Sequence, residues 1–261
     1  MITAVGINIE RINFPAGEMH IRVNTNREFR HSTVDVDFHF SKNEDLIELL
    51  LFHDALKNHN LVLDTLRIGY MPFGRQDRVT QPGESFSLRV VANLINSMHI
   101  RRVIIIDPHS DVTPALIQNC EVVPQWAVFD QLLNERTSEN REKYFLISPD
   151  GGALKKIYLL ARQVRDCQGV IECSKERNTS TGEITGTIVH CTPEKLSGEM
   201  CVIVDDICDG GRTFVELAKI LKNSYGVKTI ILCVSHGLFT KGIGVFDGLI
   251  DEIYTLKGKV K

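Results

Sequence analysis

Cys201-Val202-Ile203-Val204-Asp205-Asp206-Ile207-Cys208-Asp209-Gly210-Gly211-Arg212-Thr213-Phe214 is the stretch that decides the architecture of this chain. Val202, Ile203 and Val204 form the short continuous apolar run expected of a parallel strand buried on both faces. Asp205 and Asp206 then stand at its carboxyl end, where open α/β sheets bind their ligands. Gly210 and Gly211 let backbone N–H groups approach an anion, and a helix opening at Thr213 favours negative charge at its N-terminus. Carboxylates able to hold sugar hydroxyls, beside a cradle for phosphate, point to a ribose phosphate.

Outward from this stretch, apolar runs alternate with amphipathic helical patterns, the signature of an α/β chain. Strands are expected at Leu66–Tyr70, Val103–Ile106, Tyr144–Ile147, Gly169–Cys173, Gly186–Val189 and Thr229–Val234, and another begins within Leu116–Val123. Ser41 or Asn43 can cap a helix with Leu46, Ile47, Leu50 and Leu51 on one face. Ser87 opens a second with Leu88, Val91, Leu94 and Ile95 at core spacing, and further helices are expected at Ala153–Ala161 and from Thr213 to about Leu221. Two similar halves are expected to meet near residues 125–140. Three strands run into polar groups in the same manner: at Asp107-Pro108-His109, at Ser148-Pro149-Asp150-Gly151-Gly152 and at Asp205-Asp206. A rigid sheet can aim such loop residues into a cleft.

A length of 261 residues allows one large or two ordinary domains, and a formal charge of -3 gives no general attraction to nucleic acid or to anionic membrane. No apolar run approaches bilayer length, and no basic segment followed by an apolar one opens the chain. The seven cysteines are scattered and show no C-x-x-C spacing. They fit reduced thiols in a cytoplasm better than a disulfide framework.

The Asp205–Thr213 stretch resembles the ribose-5-phosphate motif shared by phosphoribosyltransferases and phosphoribosyl-pyrophosphate (PRPP) synthetases. Further segments, in the order of the PRPP synthetase family (ribose-phosphate diphosphokinases), extend the likeness nearly end to end. They are Phe14-Pro15-Ala16-Gly17-Glu18, Arg75-Gln76-Asp77-Arg78, Asp107-Pro108-His109, Ser148-Pro149-Asp150-Gly151-Gly152, Lys175-Glu176-Arg177 and Ser235-His236-Gly237-Leu238-Phe239. The resemblance implies two phosphoribosyltransferase-like, Rossmann-like α/β domains with mainly parallel sheets and an active site between them. Their expected spans are residues 1–130 and 131–261, with the final residues packing back on the N-terminal domain. It implies Mg²⁺-dependent transfer of the β,γ-diphosphate of ATP to ribose 5-phosphate, giving PRPP and AMP.

Roles follow by the same resemblance. Phe14, Glu18, Arg75, Gln76, Asp77, Arg78 and His109 match ATP-binding positions, Phe14 and Glu18 lying in a loop that the family supplies from a neighbouring subunit. A homo-oligomer, dimer or hexamer, is therefore implied. His109 and Asp150 match metal-associated positions. Lys175 and Arg177 match a mobile catalytic loop. Asp150, Asp205, Asp206, Asp209, Gly210, Gly211, Arg212 and Thr213 complete the sugar-phosphate site. Read by themselves, Phe14 equally suits a core position at a strand end, Asp150 a helix N-cap, and Lys175 and Arg177 a solvent-facing hairpin.

The chain departs from the family in places. Ala16 stands where Asp or Asn is usual, and Pro108 where leucine is. The phosphate loop reads Asp209-Gly210-Gly211-Arg212-Thr213 where Asp-Thr-x-Gly-Thr is common. A hydroxyl is lost at 210 and a cation gained at 212. Either the site takes a larger 5-substituent, as in ADP-ribose, a donor route towards NAD, or Arg212 faces solvent and ribose 5-phosphate remains the acceptor. A phosphoribosyltransferase that consumes PRPP has no need of Arg75–Arg78 or Phe14–Glu18. A non-catalytic regulatory homologue has no need of His109, Asp150, Lys175 and Arg177.

Overall fold

The structure is a computed structural model and describes residues 1–25, 32–138, 142–177 and 184–261, without the side chains at 136–138, 176–177 and 184–185. The chain divides into two compact units, Met1–Val123 and Pro124–Lys261. Among the described residues no helix is long and apolar enough to cross a membrane.

The first unit contains β1 (Ile2–Ala4), β2 (Ile7–Asn13), β3 (Met19–Thr25), β4 (Thr33–Phe38), α1 (Glu44–Asn58), β5 (Val62–Ile68), α2 (Ser87–Asn96), β6 (Arg102–Ile106), α3 (Val112–Leu116) and β7 (Cys120–Val123). Its main sheet has the order β1-β4-β5-β6-β7, with β4 to β7 parallel and β1 antiparallel at the edge. The antiparallel pair β2–β3 stands as a separate hairpin. Val34, Val36 and Phe38 alternate with polar residues along β4 and face the core, the two-residue period of a half-buried strand. In α2 the expected face is present: Leu88, Val91 and Ile95 are buried. In α1 it is rotated. Leu46, Leu49, Phe52 and Leu56 are buried at helical spacing, whereas Ile47 is exposed.

The entry to α1 is fastened by a side chain inside the helix rather than by Ser41 or Asn43 as cap. The Asp45 carboxylate accepts from the Ser41 N–H at 2.6 Å, the Ser41 hydroxyl at 2.8 Å and the Lys42 N–H at 2.9 Å.

The second unit contains α4 (Gln125–Ser138), β8 (Tyr144–Ser148), α5 (Leu154–Ala161), β9 (Cys167–Arg177), β10 (Ile184–Val189), α6 (Pro193–Leu196), β11 (Met200–Cys208), α7 (Arg212–Tyr225), β12 (Thr229–Gly237), β13 (Glu252–Thr255) and β14 (Gly258–Lys259). Its sheet has the order β10-β9-β8-β11-β12-β13-β14 and is parallel from β9 to β13. Side chains alternate between two covered faces. Cys201 and Ile203 pack with Leu217 and Leu221 of α7, while Val202 and Val204 pack with Phe129 of α4 and Ile157 of α5. Burial on both faces explains the unbroken apolar runs of β8 and β11.

The division falls at Pro124, earlier than the expected 130/131. Phe129 and Leu133 of α4 share a core with Ile157 and Leu160, so the whole helix belongs to the second unit. The final residues are stitched within that unit: β14 pairs with β13, and the Val260 N–H donates to the Ile253 carbonyl at 2.8 Å.

Burial alone would raise the Asp45 pKa, but the Lys42 and Ser41 donors outweigh it and hold the group at about 2. A depressed carboxylate stabilises above its unfolded pKa and loses that contribution as pH falls towards the folded value. Asp45→Ala is expected to remove about 2 kcal/mol at pH 7 and only about 1 kcal/mol at pH 3. Urea unfolding of both proteins at the two pH values checks this, and a pH-independent difference would refute it.

Candidate active site

In the second unit, β8 and β11 are parallel neighbours, but the chain leaves β8 for β9 on one side and β11 for β12 on the other. The loops after these strands therefore diverge, which opens a crevice at their carboxyl ends. The β8 loop holds Asp150 by three contacts. The Ser148 hydroxyl donates to the Asp150 carbonyl at 2.7 Å and the Gly152 N–H to Asp150 Oδ1 at 3.0 Å. Lys175 Nζ, from β9, donates to Asp150 Oδ2 at 2.8 Å. Asp150 thus shapes its own turn and binds a cation; it does not cap α5, which begins after Ala153. The side chain of Arg177 and the loop expected at 178–182 lie outside the described residues.

The strand β11 runs further than its apolar core predicts. Pairing with β12 continues to Ile207 opposite His236 and Cys208 opposite Gly237, so Asp205 and Asp206 sit within the strand rather than beyond it. Asp206 is buried, with Lys156 Nζ of α5 at 3.7 Å from Oδ2. Asp205 is half-buried, and its Oδ1 accepts the Asp206 N–H at 2.8 Å. Burial first, then the neighbouring Asp206 and Asp150 charges, push the Asp205 pKa well above the ordinary carboxylate value. The two carboxyl groups therefore stand side by side at the end of β11, with the proton on Asp205 held more tightly than on an ordinary carboxyl.

The turn that follows is pinned from β12. The Leu238 and Phe239 N–H groups donate to the Cys208 carbonyl at 2.8 and 3.2 Å, the Thr240 N–H to the Asp209 carbonyl at 3.1 Å, and the Thr240 hydroxyl to Asp209 Oδ1 at 2.7 Å. Gly211 has φ +78°, and a Cβ there would stand 2.6 Å from Phe246 Cζ. Both facts demand glycine. No side chain caps the start of α7, whose first-turn N–H groups therefore favour negative charge. Thr213 lies in that first turn. Arg212 is strongly exposed and turns along the helix, Nε donating to Glu216 Oε1 at 2.7 Å.

In the first unit, the loops after the adjacent parallel strands β5 and β6 are tied together. Asp77 is buried; its carboxylate accepts from Arg78 Nε at 2.9 Å and is also bonded by Ser110. The Arg78 hydrogen bond first, then Ser110, outweigh burial and hold Asp77 below the usual carboxylate range, with His109 adding a small pull. Asp77 therefore orients Arg78 and the His109 loop from beneath, while Arg75, Gln76, Arg78 and His109 are exposed above it. Phe14 is exposed, not core. It lies in the β2–β3 turn, closed by Phe14 N–H to Glu18 carbonyl and Gly17 N–H to Phe14 carbonyl, both 2.9 Å, with Glu18 exposed beside it. Sequence reasoning did not single out Lys156, Ser110, Thr240 or Lys241. Lysines on a helix or loop carry no local signal; only packing brings them to these carboxylates and turns.

Among the described residues no cluster of three or more His, Cys, Asp or Glu could hold a metal ion by protein groups alone.

Known protein families match segments of both units. The model of the phosphoribosyl transferase domain matches residues 127–246, and that of the N-terminal domain of ribose phosphate pyrophosphokinase matches residues 3–98. The ribose-phosphate pyrophosphokinase of Thermococcus kodakarensis is 30% identical over 95% of this chain and 84% of its own length. That of Aquifex aeolicus is 30% identical over 87% of this chain and 70% of its own. This chain belongs to the ribose-phosphate pyrophosphokinase family. Its members are diphosphotransferases. Against the Mycoplasmopsis pulmonis ribose-phosphate pyrophosphokinase, also 30% identical, the match spans 64% of the relative's length. The crystal structure of phosphoribosylpyrophosphate synthetase from Mycobacterium smegmatis shares the fold at a TM-score of 0.76, with 21% identity over 95% of this chain and 79% of that one.

The Gly211 contact yields a direct test. Gly211→Ala is expected to destabilise by at least ~2 kcal/mol, from the left-handed φ and the clash with Phe246. In a Phe246→Leu background the same change should cost only about 1 kcal/mol, the strained φ alone. Urea unfolding of the four proteins measures both, and an equal penalty in the two backgrounds would exclude the ring contact.

Proposed function

We propose that this chain transfers the β,γ-diphosphate of ATP to the anomeric hydroxyl of ribose 5-phosphate, giving PRPP and AMP. The new bond joins the anomeric oxygen to the β-phosphorus, the bond from that phosphorus to the α,β-bridging oxygen breaks, and the hydroxyl proton is released. The observation that carries the reading is the docking of the Arg75–Arg78 segment on the His109 loop through Asp77. A transferase that only consumes PRPP needs the second unit's strand-end loops but not this cationic pair of loops in a separate unit.

In this reading Arg75, Gln76, Arg78 and His109 take the nucleotide. Guanidinium forks grip phosphate or stack on a base, and Asp77 fixes one of them. Asp205 and Asp206 hold the ribose hydroxyls. The Asp209–Thr213 turn takes the 5-phosphate on its N–H groups. Lys175, held on Asp150 at 2.8 Å, supplies positive charge for the transferring group, a role in which Arg177 would join it.

The donor set suits Mg²⁺ arriving with ATP. Such an ion needs one or two carboxylates besides phosphate oxygens, and Asp150 offers one; the His109 nitrogen suits it poorly except through water. When bound, the ion would neutralise charge on the β- and γ-phosphate oxygens.

Two observations favour ribose 5-phosphate over ADP-ribose. Arg212 is engaged by Glu216, and the space beside Gly210 is lined by the Lys241 stem, 3.5 Å from where a side chain at 210 would begin. An exposed Phe14 at a hairpin turn supports a homo-oligomer, dimer or hexamer, in which that loop serves a neighbouring subunit. Seven free cysteines suit a reducing cytoplasm.

Purified protein incubated with Mg·ATP and ribose 5-phosphate should release AMP. Release with ADP-ribose alone would reverse the choice of acceptor, and release with neither would favour a regulatory homologue. Lys175→Ala should lower kcat about 100-fold or more while the KM for ATP changes only a few-fold. Unchanged turnover would remove Lys175 from the chemistry.

A further inference from the structure

Resting on the reading of the Asp209–Thr213 turn as the 5-phosphate site, we propose that Lys241 is its cation and makes it select a sugar bearing a terminal phosphate monoester. Neither the sequence motif nor the family resemblance assigns this residue a role.

The observations converge on one position. The Lys241 stem lies along the turn, with Cδ and Cε 3.5 Å and Cγ 3.6 Å from where a Gly210 Cβ would stand. That contact is ordinary van der Waals packing, so the absence of a side chain at 210 is matched by the presence of this stem. The residue is presented by a closed loop rather than a loose tail. The Gly242 N–H donates to the Phe239 carbonyl at 2.7 Å, and the preceding Thr240 is fixed to Asp209 through both backbone and hydroxyl. Gly242, at φ +74°, lets the chain turn sharply just after the lysine.

Charge bookkeeping at the turn points the same way. The turn's own basic side chain, Arg212, is held by Glu216. The turn carries no hydroxyl at 210 and has a carboxylate at 209, which Thr240 holds through Oδ1. Among the described residues the Lys241 ammonium has no hydrogen bond or ion pair, and the side chain is exposed. An unpartnered ammonium on a fixed loop, its stem laid against a glycine turn that opens a helix, is matched by a doubly charged phosphate monoester. A diphosphate ester carries less charge on the proximal phosphorus and needs space that the stem fills.

Equilibrium binding separates this assignment from the transfer reaction. Binding of ribose 5-phosphate and of unphosphorylated ribose would be measured for the wild type, Lys241→Met, Lys241→Arg and, as a charge control elsewhere on α7, Lys219→Met. AMP release would be followed in parallel. Lys241→Met keeps the stem and should weaken ribose 5-phosphate about tenfold without changing ribose binding. Lys241→Arg should stay within about threefold, and Lys219→Met should match the wild type. In turnover, Lys241→Met should raise the KM for ribose 5-phosphate and leave kcat and the KM for ATP nearly unchanged. Ribose 5-phosphate affinity of Lys241→Met within twofold of wild type, an equal loss for ribose, or no binding by the wild type would each overturn the assignment. Charge-dependent binding without AMP release would leave Lys241 standing and sink the transfer reading.

Discussion

Strand β11 is hydrogen-bonded to β8 on one side and to β12 on the other, and its residues are packed on both faces. Such a strand cannot slip by one residue without carrying Ile203 and Val204 to the wrong faces. Its end is therefore fixed, and with it the carboxylate pair, the glycine turn and the start of α7. Pairing with β12 runs the full length of β11, so the loop after β12 returns beside the turn it pins. Asp205, Asp206, Gly211 and Lys241 all take their places from that one constraint.

Burial then dictates how the acidic groups are partnered. A carboxylate withdrawn from water must be bonded or must take up a proton. Asp77 is supplied by Arg78 and Ser110, Asp150 by Lys175 and the Gly152 N–H, and Asp206 by Lys156. Asp205 receives the Asp206 N–H yet lies against two like charges, and its pKa rises. Lys175 and Arg78 are thus each held in place by an acidic group of the protein itself.

Much of this was legible in the sequence, for reasons that can be named. The apolar runs at Tyr144–Ile147 and Cys201–Val204 read as buried strands, and Gly210-Gly211 ahead of an amphipathic run reads as a turn into a helix. What escaped had weaker local signals. Val34, Val36 and Phe38 alternate plainly, but the strand is short and follows a polar stretch. The helix at Gln125–Ser138 bunches its apolar residues towards its start instead of spreading them along one face, and its allegiance to the second unit rests on Phe129 and Leu133 meeting Ile157 and Leu160. The rotated face of α1 shows the same limit: Ile47 fits an apolar stripe by spacing, yet the stripe that meets the sheet is centred on Leu49 and Phe52.

The sequence by itself determined the α/β class, the family and the order of the strand-end loops, because apolar period, glycine placement and short polar motifs are local properties of a chain. Only the tertiary structure decided that Asp205 and Asp206 lie inside the strand and that Lys241 lies over Gly210. Those outcomes depend on which distant residues are brought within a few ångströms by sheet pairing, and nothing in the local pattern at positions 205 or 241 encodes its neighbours; the Arg212–Glu216 pair, four residues apart on one helix, is by contrast a local contact.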